Sequence, residues 1–436
     1  MKKITKKSRL FIYGCAGLGV NMLNLIVGSY LCSALLIGGF DQGDIGRWTY
    51  IDKDLVVAGM WGAFIVIAKI IDGIIDVPFA HFTDNLKTKW GKRRPALMIG
   101  FIPMIIAYVL FLFPLNSSAT ILNTIWFSLL LFVFYGMYTL TMLTYYATFA
   151  EITEKKTDIV FLSNVKSVCD VVYFSLGYAL VPAFVSMGVN IRWVALIFLP
   201  LSLTMMIPML LIKESPEEEE KAEKQEHPTV LKSLMFTMKD KPFIIWLCIV
   251  FIMNVGLQLF LSGINEYFST AGLNMTLVMA SCFVPVPLTI LLYNKIVEKK
   301  GLGFGYRYIL LVFSIGMALM IFCGAVPEAL IYPYAIACSI IVSFAIGSFF
   351  SVTYIVPSNR AATRIGESKT ASSMYFAIQG LFEGASAGLA SGVLLVYLKQ
   401  SGHINLMTMI VAGICMTAFG LSFLLPKAIT EIGKKE

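Results

Sequence analysis

Twelve long apolar stretches constrain this sequence more than any other feature, because about 20 mostly apolar residues suffice to cross the hydrocarbon core of a bilayer. They cover residues 11–38, 56–82, 95–115, 119–149, 165–188, 191–213, 243–269, 273–297, 306–325, 328–356, 371–398 and 403–426. Hydrocarbon offers no partner to backbone N–H and C=O groups, so segments of this kind cross as helices or close into barrels. Continuous apolar runs of this length read as helices. The fold class is therefore all-α integral membrane, with twelve transmembrane helices. Charged residues make up 14% of the chain, well below the about 25% of a soluble domain.

The remaining charges orient the spans. Lys and Arg gather at the N-terminus (Lys2, Lys3, Lys6, Lys7, Arg9) and after the even-numbered stretches, as in Lys87, Lys89, Lys92, Arg93 and Arg94, or Arg360, Arg364 and Lys369. The opposite loops hold only Arg47, Lys53, Arg192 and Lys399. By the positive-inside bias both termini are cytoplasmic and the protein resides in the cell's cytoplasmic (inner) membrane. The net charge of +8 then faces an anionic leaflet rather than a nucleic acid. Membrane lipid is thus an expected partner.

Residues 214–242 break the rhythm with an acidic run, EEEE, followed by the short amphipathic piece SLMFTM. This charged segment reads as a cytoplasmic linker between two pseudo-repeats, 1–213 and 243–436, each of six helices. One chain carrying both halves forms a pathway without a second copy, so the expected working unit is a monomer.

Enzyme and cofactor chemistry find no foothold. The eight cysteines all lie in apolar runs and never as C-x-x-C, and the three histidines are far apart. They read as small buried hydrophobes and not as a metal framework. No Walker A sequence is present, and neither Gly17–Leu18–Gly19 nor Gly303–Phe304–Gly305 follows a strand.

Asp72 and Asp76 are the leading candidates for chemistry. Four residues apart, they project from one helical face about a turn apart. A charged residue at the centre of a membrane helix costs about 2.5–3.5 kcal/mol or more. The pair must hold a cation, share a proton or pair with a base. The structural alternative is a salt bridge with Lys69, which lies three residues before Asp72. Lys166 and Asp170 repeat the i, i+4 spacing, as an internal pair or as substrate contacts. Tyr145 and Tyr146 could stack on a sugar ring or merely pack. Gly380, Gly384, Gly388 and Gly392 recur every fourth residue, a flat strip for close helix approach. Gln379 and Glu383 lie beside it as candidate cavity residues, Glu383 as a partner for Lys166 or a proton carrier. Asp84, facing Arg93, Arg94 and Glu151 at the cytoplasmic helix ends, could lock one conformation as a gate. Simple charge-based orientation of the loop is the alternative.

The stretch KIIDGIIDVPFAHFTDNLKTKWGKRRPALMIG, Lys69 to Gly100, resembles helix 2 and the following loop of the glycoside–pentoside–hexuronide:cation symporters, the family of melibiose permease. In it Asp76 is followed fourteen residues later by Trp90 of W-G-K. The resemblance implies a major facilitator fold of two six-helix bundles and a cation site near Asp72 and Asp76, with Thr139 as a helix 4 contributor. Ile75 stands where the family's sodium users carry a polar side chain, which turns the expectation towards protons over sodium. Asn21 stands where melibiose permease has an aspartate, and no acid occurs in Thr139–Tyr146. Asn21 still hydrogen-bonds hydroxyls, whereas galactosides lose both expected acids. Lys166 occupies a position usually held by a sugar-contacting arginine, and Glu383 one often held by a base.

The expected function is symport of a sugar or glycoside-like small molecule with H+ or Na+, by alternating access and without a cofactor. A lipid or amphipathic-solute transporter on the same fold and a non-transporting membrane sensor are the rivals.

Overall fold

The computed structural model describes residues 4, 6–86, 88–152, 156–212, 235, 237–364 and 371–433. Among them, twelve helices are long and apolar enough to cross a membrane. They are α1 (Lys7–Leu35), α2 (Ala58–Asn85), α3 (Arg93–Phe111), α4 (Ile121–Ile152), α5 (Lys156–Ser186) and α6 (Ile191–Leu211). The second six are α7 (Lys241–Thr270), α8 (Met275–Lys300), α9 (Leu302–Cys323), α10 (Ile331–Arg364), α11 (Ala377–Ser401) and α12 (Ile404–Leu424). The described residues contain no strand.

Several helices outrun their apolar stretches at one end. The fifth apolar stretch begins at residue 165 but α5 begins at Lys156, and α10 continues to Arg364. Hydropathy marks where lipid begins; the i→i−4 ladder carries on through polar residues into water. Most of residues 214–242 lies outside the described residues, so the linker reading stays an expectation.

Because the spans alternate, α1 begins on the face that also carries the ends of α2, α4, α8 and α10; this is termed the N-terminal face, and the opposite one the distal face. Two glycines make matching turns on the N-terminal face. Gly91, before α3, has φ 85°, and Gly301, before α9, has φ 83°, a left-handed backbone that a side chain resists. The W-G-K glycine of the first half is thus matched in the second half by Gly301, the residue before α9.

Two six-helix bundles, α1–α6 and α7–α12, meet along α2 with α11, α5 with α8, and α1 with α7. The α2–α11 seam is the closest. A Cβ added to Gly73 would lie 2.7 Å from the Leu381 Cα, and one on Gly388 would lie 3.0 Å from the Val66 Cα. Gly384 abuts the Lys69 carbonyl, and Gly392 and Gly62 abut each other's carbonyls. Three of the four glycines of the strip thus let the two backbones touch. Gly380 meets nothing so close and opens onto the central cavity.

Two helices carry a wide turn that periodicity did not announce. In α1 the Cys32 N–H bonds the Val27 carbonyl at 3.0 Å, and in α11 the Leu395 N–H bonds the Ala390 carbonyl, five residues back in each case. Such π turns cluster at functional positions, and both lie where the bundles meet.

Candidate coupling and substrate site

A cavity of about 310 Å³ lies between the bundles, midway along the helices. The first bundle contributes Lys69, Asp72, Asp76, Tyr138 and Thr139; the second contributes Asn254, Gln258, Thr353 and Glu383, with Met253, Leu257 and Phe349 as apolar wall. The i, i+4 spacing aims both aspartates of α2 into the cavity, and the glycines of the α2–α11 seam bring Glu383 to the same space.

The two aspartates differ in their partners. Thr139 Oγ1 donates to Asp72 Oδ1 at 2.6 Å. Asp76 accepts no hydrogen bond from any described residue. Lys69 forms no ion pair with Asp72 among the described residues; its ammonium sits 3.9 Å from the centroid of the Tyr135 ring. A cation–π contact of this kind accommodates the lysine without consuming a carboxylate. The salt-bridge alternative for the acid pair is therefore not what the side chains adopt.

Glu383 does not meet Lys166. Its Oε1 accepts from Gln379 Nε2 at 2.8 Å, while Gln379 Nε2 also donates to the Thr353 carbonyl and Gln379 Oε1 accepts from Trp246 Nε1 at 3.0 Å. Gln379 is thus buried and held on three sides, a support for Glu383 more than a cavity group. Asp72, Asp76 and Glu383 share the cavity without forming a metal-holding cluster among the described residues.

The remaining candidates of the first bundle largely engage one another. Lys166 pairs with Asp170 at 2.8 Å and lies 4.8 Å from the Tyr146 ring centroid. Asp170 accepts from Asn21 Nδ2 at 3.1 Å, and Asn21 Oδ1 accepts from Tyr138 at 2.9 Å. Of this chain only Tyr138 lines the cavity. Tyr145, offered as a stacking platform, is fully buried; its hydroxyl donates to the Tyr13 carbonyl at 2.5 Å and its ring packs on Phe149. Packing, not solute contact, accounts for it.

Two of the four candidate gate side chains, Arg93 and Arg94, lie among the described residues. Arg93 is buried, with Nη1 donating to Thr83 at 3.4 Å, while Arg94 Nε is buried and finds no acceptor among the described residues. The side chains of Asp84 and Glu151 lie outside the described residues.

A second polar cluster was absent from the sequence reading. Lys399, counted there as a loop charge, is buried at the distal end of α11 and pairs with fully buried Glu266 of α7 at 2.7 Å. Ser33 of α1 caps the pair from the other bundle: Lys399 Nζ donates to the Ser33 carbonyl at 3.0 Å and to its hydroxyl at 2.9 Å, and the hydroxyl donates to Glu266. Around it Asn265 donates to the Ser29 carbonyl at 3.2 Å, Asp41 N–H to Ser269 at 2.9 Å, Ser269 to Asp44 at 2.7 Å and Thr270 to the Gly39 carbonyl at 2.9 Å. These contacts seal the bundles together on the distal face. The only sequence signal available was an acid and a base at matching depths of α7 and α11.

Residues 12–424 match the family described as MFS/sugar transport protein. No curated protein sequence matches the chain. Among solved structures, the nucleoside transporter NupG is similar at 15% identity and TM-score 0.65, covering 97% of this chain and 99% of that one. A POT family transporter in complex with 5-aminolevulinic acid reaches 10% identity and TM-score 0.65, covering 97% of this chain and 96% of that one. A D-xylose-proton symporter reaches 12% identity and TM-score 0.62, covering 97% of this chain and 98% of that one. At such identities these likenesses concern the fold alone.

Proposed function

Since this chain belongs to the MFS/sugar transport protein family, a family of multi-pass membrane transporters and not of enzymes, we propose that it is a secondary active symporter. Its solute is a sugar or glycoside-like molecule, its coupling ion a proton, and its site the cavity between the bundles. The observation that carries this reading is the placement of Asp72 and Asp76 on that cavity, with Asp72 bonded to Thr139 and Asp76 bonded to no described residue. A carboxylate open to a cavity at mid-membrane depth takes up an ion from whichever side the cavity faces. Sodium wants several oxygen ligands, and Ile75, beside Asp76, supplies none; a proton needs one carboxylate.

Ion and solute occupy one space, so each alters the free energy of binding the other, which is the thermodynamic content of coupling. The distal seal through Lys399, Glu266 and Ser33 fits a state closed on that face, one of the two that alternating access requires. With both termini cytoplasmic, the distal face is the external one. A volume of about 310 Å³ sits at the low end of the about 300–1,000 Å³ of small-molecule sites, which favours a compact polar solute over a lipid chain. The protein acts as a monomer in the cytoplasmic membrane on this reading.

The test is uptake of labelled sugars by the purified protein in liposomes under an imposed proton or sodium gradient. Accumulation driven by the proton gradient supports the proposal. Accumulation driven by sodium alone reassigns the ion, and gradient-driven movement of lysolipid without sugar overturns the solute.

A further inference from the structure

We propose that Asn254 and Gln258 of α7 recognise the hydroxyl groups of the solute, so that the second bundle holds the solute while the first holds the coupling ion. This rests on the transport reading above. The two amides stand four residues apart, hence one turn apart on one helical face, and both line the cavity that Asp72 and Asp76 enter.

The orientation of the Asn254 amide is fixed by its neighbours. Its Nδ2 donates to the Glu383 carbonyl at 3.1 Å and to Ser386 Oγ at 2.6 Å. The Ser386 hydroxyl itself donates to the Glu383 carbonyl at 2.8 Å, so its oxygen is the acceptor for the amide. Both partners being acceptors, the nitrogen end must face them and the oxygen end must face away. No described residue donates to Asn254 Oδ1.

Gln258 forms no hydrogen bond with any described residue. An amide that is neither in water nor paired is costly in a membrane protein. Facing a cavity, it instead bonds water or solute. Between them the two side chains present two acceptors and one NH2 group. Adjacent sugar hydroxyls, each both donor and acceptor, match that set. Met253, Leu257 and Phe349 line the same wall and suit the C–H face of a sugar ring.

The first bundle offers less. Asn21, Asp170, Lys166 and Tyr138 bond among themselves, and Tyr145 bonds a backbone carbonyl. Its cavity-lining side chains are Lys69, Asp72, Asp76, Tyr138 and Thr139, and of these the two aspartates suit a cation.

The experiment compares wild type, Gln258→Leu, Gln258→Asn and Asn254→Leu in liposomes, measuring KM and the maximal rate for labelled D-xylose, D-glucose and melibiose, with melting temperature as a check of folding. The expected result is a KM raised about 5–10-fold by Gln258→Leu, the equivalent of one lost hydrogen bond, with maximal rate and proton dependence kept and with partial rescue in Gln258→Asn. Unchanged KM in both leucine variants, or a fall in maximal rate alone, overturns the assignment while leaving the transport reading standing. Failure of wild type to accumulate any of the three sugars overturns the transport reading and this inference with it.

Discussion

Thr139 of α4 donates a 2.6 Å hydrogen bond to Asp72 of α2, while Asp76, one turn nearer the N-terminal face, accepts none from a described residue. The acid pair is thereby divided into a carboxylate held in place and one left open to the cavity. On the proposed coupling role, the fixed group orients the site and the open one exchanges its ion as the cavity changes face. The i, i+4 spacing alone made the two residues look equivalent.

Replacing Thr139 by valine keeps the shape of the side chain and removes the donor. The loss of one hydrogen bond to a charged group is worth about 1.5–3 kcal/mol. That hydrogen bond stabilises the ionised carboxylate and so competes with protonation. Without it the coupling proton should half-saturate transport at a proton concentration lower by roughly tenfold or more, with the midpoint moved to higher pH and the solute KM at saturating proton little changed. Uptake measured across a pH series shows it; an unaltered pH profile removes Thr139 from the ion site.

The α2–α11 seam leaves no room for larger side chains. Gly384→Val drives the new Cβ into the Lys69 carbonyl, with two further methyl groups to accommodate. Overpacking of this kind costs about 1–3 kcal/mol, so melting temperature should fall and transport should slow. Gly380→Ala, facing open space, should be tolerated. Equal behaviour of the two variants contradicts the seam.

Lys399 and Glu266 are each buried by at least nine-tenths and depend on each other. Removing one partner strands a buried charge and costs about 3–5 kcal/mol, whereas replacing both by apolar residues is often neutral. Lys399→Met and Glu266→Leu should each lower the melting temperature, and the double variant should recover much of the loss. Additive losses in the thermal cycle argue that the pair is not a unit.

Ser33 is the partner of that pair from the other bundle, with hydrogen bonds of 2.9 and 3.0 Å from Lys399. Ser33→Ala removes the hydroxyl while keeping the carbonyl, and should weaken the distal seal by about 1 kcal/mol. The expected readout is faster hydrogen exchange at residues 29–44 and 262–270 with the core of each bundle unaffected. Unchanged exchange there contradicts a sealing role.

The architecture was legible because lipid punishes charge and unpaired backbone uniformly, so twelve apolar stretches declare twelve helices. Asp72 and Asp76 were legible for the same reason, standing out as acids within such a stretch. Lys399 and Glu266 were not: each lies near the end of a span, where a charge ordinarily meets water, and only the packing of α7 against α11 and Ser33 buries them. Asn254 and Gln258 escaped notice because a neutral amide in an apolar helix carries no charge penalty to mark it. The π turns at Val27–Leu31 and Leu389–Leu394 lie where the bundles meet, and no local pattern announces them. Tyr145 illustrates the converse, since an aromatic with a polar tip suits a solute and a packed core equally well.

The most direct test of ion coupling compares downhill and gradient-driven uptake of the same sugar by wild type, Asp72→Asn and Asp76→Asn in liposomes. A coupling free energy of about 1–3 kcal/mol corresponds to an effect of about 5–150-fold on affinity. The account predicts that both variants lose accumulation against a gradient, and that Asp76→Asn retains downhill exchange of solute. Accumulation at the wild-type level in Asp76→Asn would contradict the coupling role of the pair.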